Sequence, residues 1–423
     1  MTPPDQPAGG SSLGVFRHRG FAIYWSARFL ATFATHFISV AVGWHVYETT
    51  RDPLDLGLVG LFQFLPFPVL LLVTGAVADR FDRRRIMACC LAAQLGCVAL
   101  LLALVLGGEA RVWPIFVVLT AFGSARAFLG PASQSMIPNL LPSAELATAI
   151  AWSTSSWQIA TILGPVIGGL LYGVAPVAPF LAAAVMLAGA AALTMTLPRM
   201  PRAAGGEGAG WQALSAGFRY IWREKVVLGA ISLDLFAVLL GGAVALLPAF
   251  AADVLAVGPV GLGLLRAAPG IGAILMALHL ARRPITDRAG VIMLAAVAGF
   301  GAATCVFALS TTAWLSIAAL VAVGAFDMVS VYIRETLIQL WTPDRVRGRV
   351  NAVNMVFIGA SNELGAFRAG VSAALLGLVP AAVIGGVGTL AIAGLWAHWF
   401  PRLRRIRRVD RIEREPEDAK NAT

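Results

Sequence analysis

The chain has 423 residues, 58% hydrophobic and only 13% charged, with a mean hydropathy of +0.80 and a formal net charge of +10. That balance excludes a soluble domain and points to a polytopic membrane protein. The cations do not signal nucleic acid, because they gather at Arg17 to Arg19, Arg80 to Arg85, Arg199 to Lys225, Arg282 to Arg288, Arg345 to Arg349 and Arg402 to Arg414, one cluster after nearly every second apolar run. Basic loops of this kind are retained in the cytoplasm during insertion, so charge here sets topology.

Residues 1–15 are rich in Pro, Gly and Ser and lack a charged segment leading into a short apolar one, so no cleavable signal is expected. At 1.5 Å per residue a helix needs about 20 apolar residues to cross a bilayer. Runs of that length are predicted at Phe21–Tyr47, Leu54–Val77, Ile86–Leu106, Val112–Met136, Ala147–Tyr172 and Ala178–Leu197. Pro198 to Trp222 is polar, glycine-rich and basic, and reads as a linker. Six further runs follow at Val226–Ala252, Val260–Leu280, Val291–Leu309, Ala313–Leu340, Val350–Leu378 and Ala381–Phe400. The division expected is residues 1–197, a linker at 198–224, residues 225–401 and a basic tail at 402–423. An even count of spans puts both termini on the cytoplasmic side of a cell membrane, expected to be a bacterial inner membrane. Cys89, Cys90, Cys97 and Cys305 all fall within apolar runs, with no spacing for a metal and no aqueous setting for a disulfide, so they are read as packing residues.

The loop after the second run is the densest charge cluster in the first half. Its Gly75-x-Val77-Ala78-Asp79-Arg80 followed by Arg83-Arg84-Arg85 resembles motif A of the major facilitator superfamily. The resemblance implies a cytoplasmic latch built on Gly75, Asp79, Arg80, Arg83 and Arg84, in which the Asp79 carboxylate meets the start of a helix in the other half. A helix N-terminus offers free N–H groups and the positive end of the dipole, which makes the contact sound. Arg126-Ala127-Phe128-Leu129-Gly130 resembles motif B, with Leu129 in place of the usual Gln. Gly164-Pro165-Val166-Ile167-Gly168-Gly169 resembles motif C, the pattern of antiporters and exporters. Glycines four apart let helices approach closely, and Pro165 removes a backbone donor and bends its helix, so motif C is expected at the interface between halves. At finer grain, Gly43-Trp44-His45-Val46-Tyr47, Ala78-Asp79-Arg80-Phe81-Asp82-Arg83-Arg84, Pro343-Asp344-Arg345-Val346-Arg347-Gly348-Arg349 and Ser361-Asn362-Glu363-Leu364-Gly365 resemble the branch that holds enterobactin exporters and related efflux proteins, in which Asp82 is expected.

The resemblance implies an all-α fold of twelve transmembrane helices in two pseudo-symmetric six-helix bundles, with substrate bound between them at the midplane. An internal repeat agrees: laying Pro142 on Pro343 (343 minus 142, or 201 residues) also lays Gly164 on Gly365, Gly169 on Gly370 and Arg126 on Asp327.

Ionisable residues at membrane depth are costly and are functional candidates by default. Arg126, Asp234, Asp327 and Glu363 are the candidates for coupling transport to protons. His36, Arg126, Asp234, Asp327 and Phe326 are the candidates for the substrate cavity, with Trp44, Trp152, Trp157 and Phe122 as further aromatic surface. Arg126 and Asp327, of opposite charge at equivalent depths, are expected to face each other. The alternative is a static pair between Asp327 and Arg334 on one helix, and static pairing is equally open for Glu335 and Arg368. Arg28 and Glu48, near span ends, need only snorkel.

No Gly-x-x-x-x-Gly-Lys-Ser/Thr loop, no His-Glu-x-x-His and no soluble domain is present, so an enzyme is not expected and neither is a cofactor or a metal. The expected function is export of an amphipathic small molecule, a drug-like compound or a siderophore, by proton antiport and alternating access. The expected partners are that substrate, protons and the lipid bilayer, with no nucleic acid and the protein working as a monomer. The alternatives are an importer of a small metabolite and a non-transporting membrane sensor or scaffold.

Overall fold

A computed structural model describes residues 14–108, 111–134, 136–198 and 211–406. Among them there is no strand, and eleven helical segments are long and apolar enough to cross a membrane. In chain order they are Arg19–Thr50, Pro53–Leu70, Arg83–Leu106, Trp113–Ser133, Ser143–Val174, Ala178–Met195, Lys225–Val254, Gly258–Arg282, Ala289–Leu309, Ala313–Trp341 and Leu378–Trp399. The twelfth crossing is the helix Asp344–Leu376, 33 residues long, whose charges keep it below the hydropathy of the others. Together they make the twelve-span, two-bundle fold. They are numbered span one to span twelve below, with Asp344–Leu376 as span eleven. Large apolar side chains point outward, Val174 at 85% exposure, Leu375 at 78% and Val185 at 74%. Water would not tolerate such a surface on a monomer, and lipid does.

The arginine-rich stretch after span two proves to be mostly helix. The helix Pro66–Arg80 carries Asp79 and Arg80, and the next helix starts at Arg83, leaving only Phe81 and Asp82 between them. Asp82 caps span three by accepting from the Arg84 backbone N–H at 3.0 Å, a physical reason for an aspartate where the wider superfamily has glycine. Arg84 donates 2.7 Å to the carbonyl of Leu197, just beyond span six. The side chain of Asp79, and with it the latch contact, lies outside the described residues.

Three irregularities shape the interior. Span two is broken at Leu65 ahead of Pro66, because proline cannot donate to the turn before it. Span seven ends its regular helix at Gly241 and continues to Val254 through a 3-10 turn, a short α turn and a π turn. The carbonyls freed at that break are taken by Arg368 of span eleven, whose Nε donates to Leu239 at 3.0 Å and whose Nη2 donates to Leu240. Arg368 is therefore a helix-end cap, in no ion pair among the described residues. The third is the linker, where the amphipathic helix Trp211–Arg223 packs Ile221 against spans seven, ten and eleven, and Tyr220 Oη donates 2.6 Å to the carbonyl of Trp341.

Glycines mark where backbones touch, and they repeat between halves. A side chain on Gly123 of span four would strike the Gln63 carbonyl of span two at 2.0 Å, and one on Gly324 of span ten would strike the Pro269 carbonyl of span eight at 1.8 Å. Those glycines are 201 residues apart (324 minus 123), the offset of the repeat. Likewise Gly169 of span five lies on Pro259 and Gly263 of span eight, and Gly370 of span eleven lies on Pro53 and Gly57 of span two. These two crossings join the halves. Gly168, expected at that interface, instead packs on Phe37 of span one within its own half, and Gly164 packs on His36.

The apolar core is continuous across the halves at one end only. A single cluster holds Phe37, Trp44 and Phe116 of the first half with Phe250, Leu262, Phe307 and Ala373 of the second. At the basic end the clusters are separate: Phe21, Met87 and Met136 in the first half, and Met293, Leu337 and Trp396 or Ile221, Ile338 and Val350 in the second. Among the described residues the apolar core is thus sealed at the end away from the arginine clusters and parted at the basic end.

Candidate functional site

Between the halves lies a cavity of about 440 Å³ to which eight spans contribute. Its polar lining comes from His36 and Ser39 of span one, Gln63 of span two, Thr161 of span five, Arg266 of span eight, Asp327 of span ten, and Asn362 and Glu363 of span eleven. Val238, Phe300 and Val323 supply apolar wall. A second cavity of about 340 Å³ shares His36 and continues along the first half past Arg28, Gln94, Arg126 and Trp157 toward the basic end. Irregular and polar surface of this kind is tolerated at membrane depth only where it lines a cavity.

The charges are arranged in distinct sets. Arg126 Nη1 donates to Gln63 Oε1 at 3.1 Å, and the carboxylate whose charge acts on it is that of Glu363. Glu363 Oε2 lies against Gly60, where an added Cβ would come within 2.7 Å of it, so a side chain there would displace the carboxylate. Asp234 is ion-paired with Arg334, both nearly buried, and this pair rather than Arg126 is the charged neighbour of Asp327. Asp327 faces the cavity with no hydrogen bond or salt bridge among the described residues. Two side chains of span one are met from other spans: Thr161 Oγ1 of span five lies 3.4 Å from His36 Nε2, and Arg266 Nη1 of span eight donates 2.6 Å to Ser39 Oγ.

Several expectations are corrected by this geometry. Arg126 and Asp327 do not meet, because Arg126 is turned toward span two and lines the second cavity. Arg334 takes Asp234 from span seven rather than Asp327 from its own helix, which leaves Asp234 buried and off the cavity wall. Phe326 packs its ring against Gly299 of span nine, and Phe300 lines the cavity in its place. Of the other aromatics only Trp157 reaches a cavity: Trp44 and Phe122 are buried in the core, and Trp152 packs with Phe16 and Trp25. Arg28 also lines the second cavity and donates to Ser133, so it does more than snorkel. Glu335 accepts from Asn354 at 3.1 Å. Gln63, Ser39, Thr161 and Asn362 were missed, and the signal available was a polar side chain inside an apolar run.

The sealed end carries one polar clasp across the halves. Asp253, in the last turn of span seven, accepts from Tyr47 Oη near the end of span one and at 2.8 Å from Nη1 of Arg51, the residue that follows it. Both partners of the Arg51–Asp253 pair are about half exposed, so its worth is about 0.2–1 kcal/mol. Asp253→Asn is expected to raise maleimide labelling of a Val257→Cys reporter from that side by about two- to fivefold. An unchanged labelling rate would assign the seal to apolar packing alone.

Comparison with known proteins agrees with this architecture. The chain matches the transmembrane secretion effector family over residues 10–421. It is 26% identical to the enterobactin exporter EntS of Escherichia coli O1:K1 over 391 residues, 89% of this chain and 91% of that one. It is 28% identical to macrolide efflux protein A of Streptococcus pyogenes over 224 residues, 52% of this chain, and that match spans only about half, 54%, of the relative. Among solved structures, a bacterial homologue of the human lysosomal transporter Spinster, inward-facing and occupied, superimposes with a TM-score of 0.71 at 15% identity, covering 94% of this chain and all, 100%, of that one. The nucleoside transporter NupG gives 0.69 at 15% identity, covering 89% and 98%. At such identity the structural likeness speaks to the fold alone. The chain is a membrane transporter, not an enzyme, and belongs to the transmembrane secretion effector family of the major facilitator superfamily.

Proposed function

We propose that this protein is a secondary active exporter that moves an amphipathic small molecule, a drug-like compound or a siderophore, out of the cell in exchange for protons. The observation that carries the reading is a central cavity with two carboxylates, Asp327 and Glu363, neither hydrogen-bonded nor in a salt bridge among the described residues, in a molecule parted at its basic end and sealed at the other. With the basic end cytoplasmic by the retention of arginine-rich loops, this is the loading state of an exporter. A carboxylate facing a partly dehydrated cavity binds and releases a proton as water access changes, so rocking the halves and titrating Asp327 become one event. Glu363 shares this role, its charge balanced by that of Arg126. The relatives named for macrolide efflux and enterobactin export support outward transport of bulky amphipathic molecules.

The test is accumulation in inside-out membrane vesicles energised to an acidic interior, with a panel containing a macrolide and a catecholate siderophore. At least one compound is expected to accumulate, and a protonophore to abolish it. Accumulation only in right-side-out vesicles would make the protein an importer.

A further inference from the structure

Four arginines lie deep among the spans, and three have their charge or donors answered. Arg126 has Gln63 and the field of Glu363, Arg334 has Asp234, and Arg368 has the two carbonyls at the break of span seven. Arg266 differs. Its one hydrogen bond among the described residues runs from Nη1 to the hydroxyl of Ser39, its Nε is buried without an acceptor, and no carboxylate pairs with it. Nη2 lies beside Gly43, where even a methyl group would come within 3.0 Å. The guanidinium forms part of the wall of the 440 Å³ cavity, and its charge reaches His36 across the same space.

A buried cation with an orphaned donor is costly, and its cost is removed when an anion arrives to accept from it. We infer that Arg266, steadied by Ser39, is the subsite for an acidic group on the transported molecule, an oxyanion such as a carboxylate, bound by the planar guanidinium fork. A planar fork suits such a group in a way that a point charge does not. The apolar wall of Val238, Phe300 and Val323 takes the remainder, so the substrate class is an amphipathic acid. The subsite also spans the two halves, Ser39 on span one and Arg266 on span eight, so an anion seated there touches both sides of the moving contact.

This rests on the cavity being the transport site, but its test needs no transport. Naphthalene-1-acetate and its neutral amide are titrated into purified protein in lipid-free detergent, so that no headgroup supplies the anion. The acid is expected to bind at least about tenfold tighter than the amide, as one charge-assisted hydrogen-bonded contact provides. Arg266→Gln is expected to bring the two within about twofold of each other. Equal binding to the wild-type protein, binding of neither, or a preference that survives in Arg266→Gln overturns the proposal. Should Arg266→Gln not fold, the wild-type chain decides: the acid and not the amide slows modification of Arg266 by phenylglyoxal, read by mass spectrometry, and equal rates refute the subsite. Failure here leaves the direction of transport standing, and a failed vesicle assay leaves the subsite standing.

Discussion

Replacing Arg334 by Ala is expected to remove most folded protein from the membrane. Arg334 and Asp234 are 4% and 11% exposed at their side chains and face each other between spans ten and seven. Deleting one partner leaves the other charge buried and unanswered, which typically costs about 3–5 kcal/mol, a large part of the stability of an ordinary domain. The double variant Asp234→Leu with Arg334→Met removes both charges and is expected to recover most of the folded yield, because an apolar replacement of similar volume for a buried pair is often neutral. Fluorescence size-exclusion of tagged protein reads both. A monodisperse, wild-type yield of Arg334→Ala would mean that water reaches the pair and that it is not structural.

Gly169→Leu is expected to fold and to stop transport. A Cβ at this position would lie 2.4 Å from the Pro259 carbonyl and 3.2 Å from Gly263, and one on Gly263 would lie 2.5 Å from the Pro165 carbonyl. Two backbones from opposite halves are in contact there, with no flexible side chain to give way. Overpacking costs about 1–3 kcal/mol, which in a balanced two-state protein moves the populations by about 5- to 150-fold. The contact is near the sealed end, so the wedge opens that end: labelling of the Val257→Cys reporter rises while export falls at least about tenfold. Export at the wild-type rate would show that this contact does not tighten and loosen during transport. Gly168→Leu meets Phe37 within the first bundle and is expected to disturb stability more than the conformational balance.

That contrast marks where the sequence was informative and where it ran short. Span count followed from apolar run length, and the half-to-half repeat from an offset that the structure extends to Gly123 and Gly324. Motif C was legible as a tight packing motif, but a helix turns 100° per residue and composition does not say which of Gly168 and Gly169 faces the other half. Span eleven reads as the least apolar crossing because Asn354, Glu363 and Arg368 are used against spans ten, two and seven, contacts made only in three dimensions. The same holds for charge pairing. Arg126 and Asp327 share a depth and carry opposite charges, which made them partners in the sequence, whereas spans two and seven supplied Gln63 and Asp234 from positions that no spacing rule connects to them. In the sequence Arg266 is an arginine inside an apolar run, and only the fold shows that no carboxylate pairs with it among the described residues.

The central claim is that a cavity carboxylate couples proton movement to the rocking of the halves, and Asp327→Asn tests it most directly. A neutral amide at Asp327 keeps the shape of the cavity and removes the group that titrates. In proteoliposomes carrying whichever compound the vesicle panel identifies, Asp327→Asn is expected to lose accumulation driven by a pH gradient, while substrate-for-substrate counterflow, which needs the conformational change and no proton, continues at a rate within about threefold of wild type. Full gradient-driven accumulation by Asp327→Asn would contradict the account.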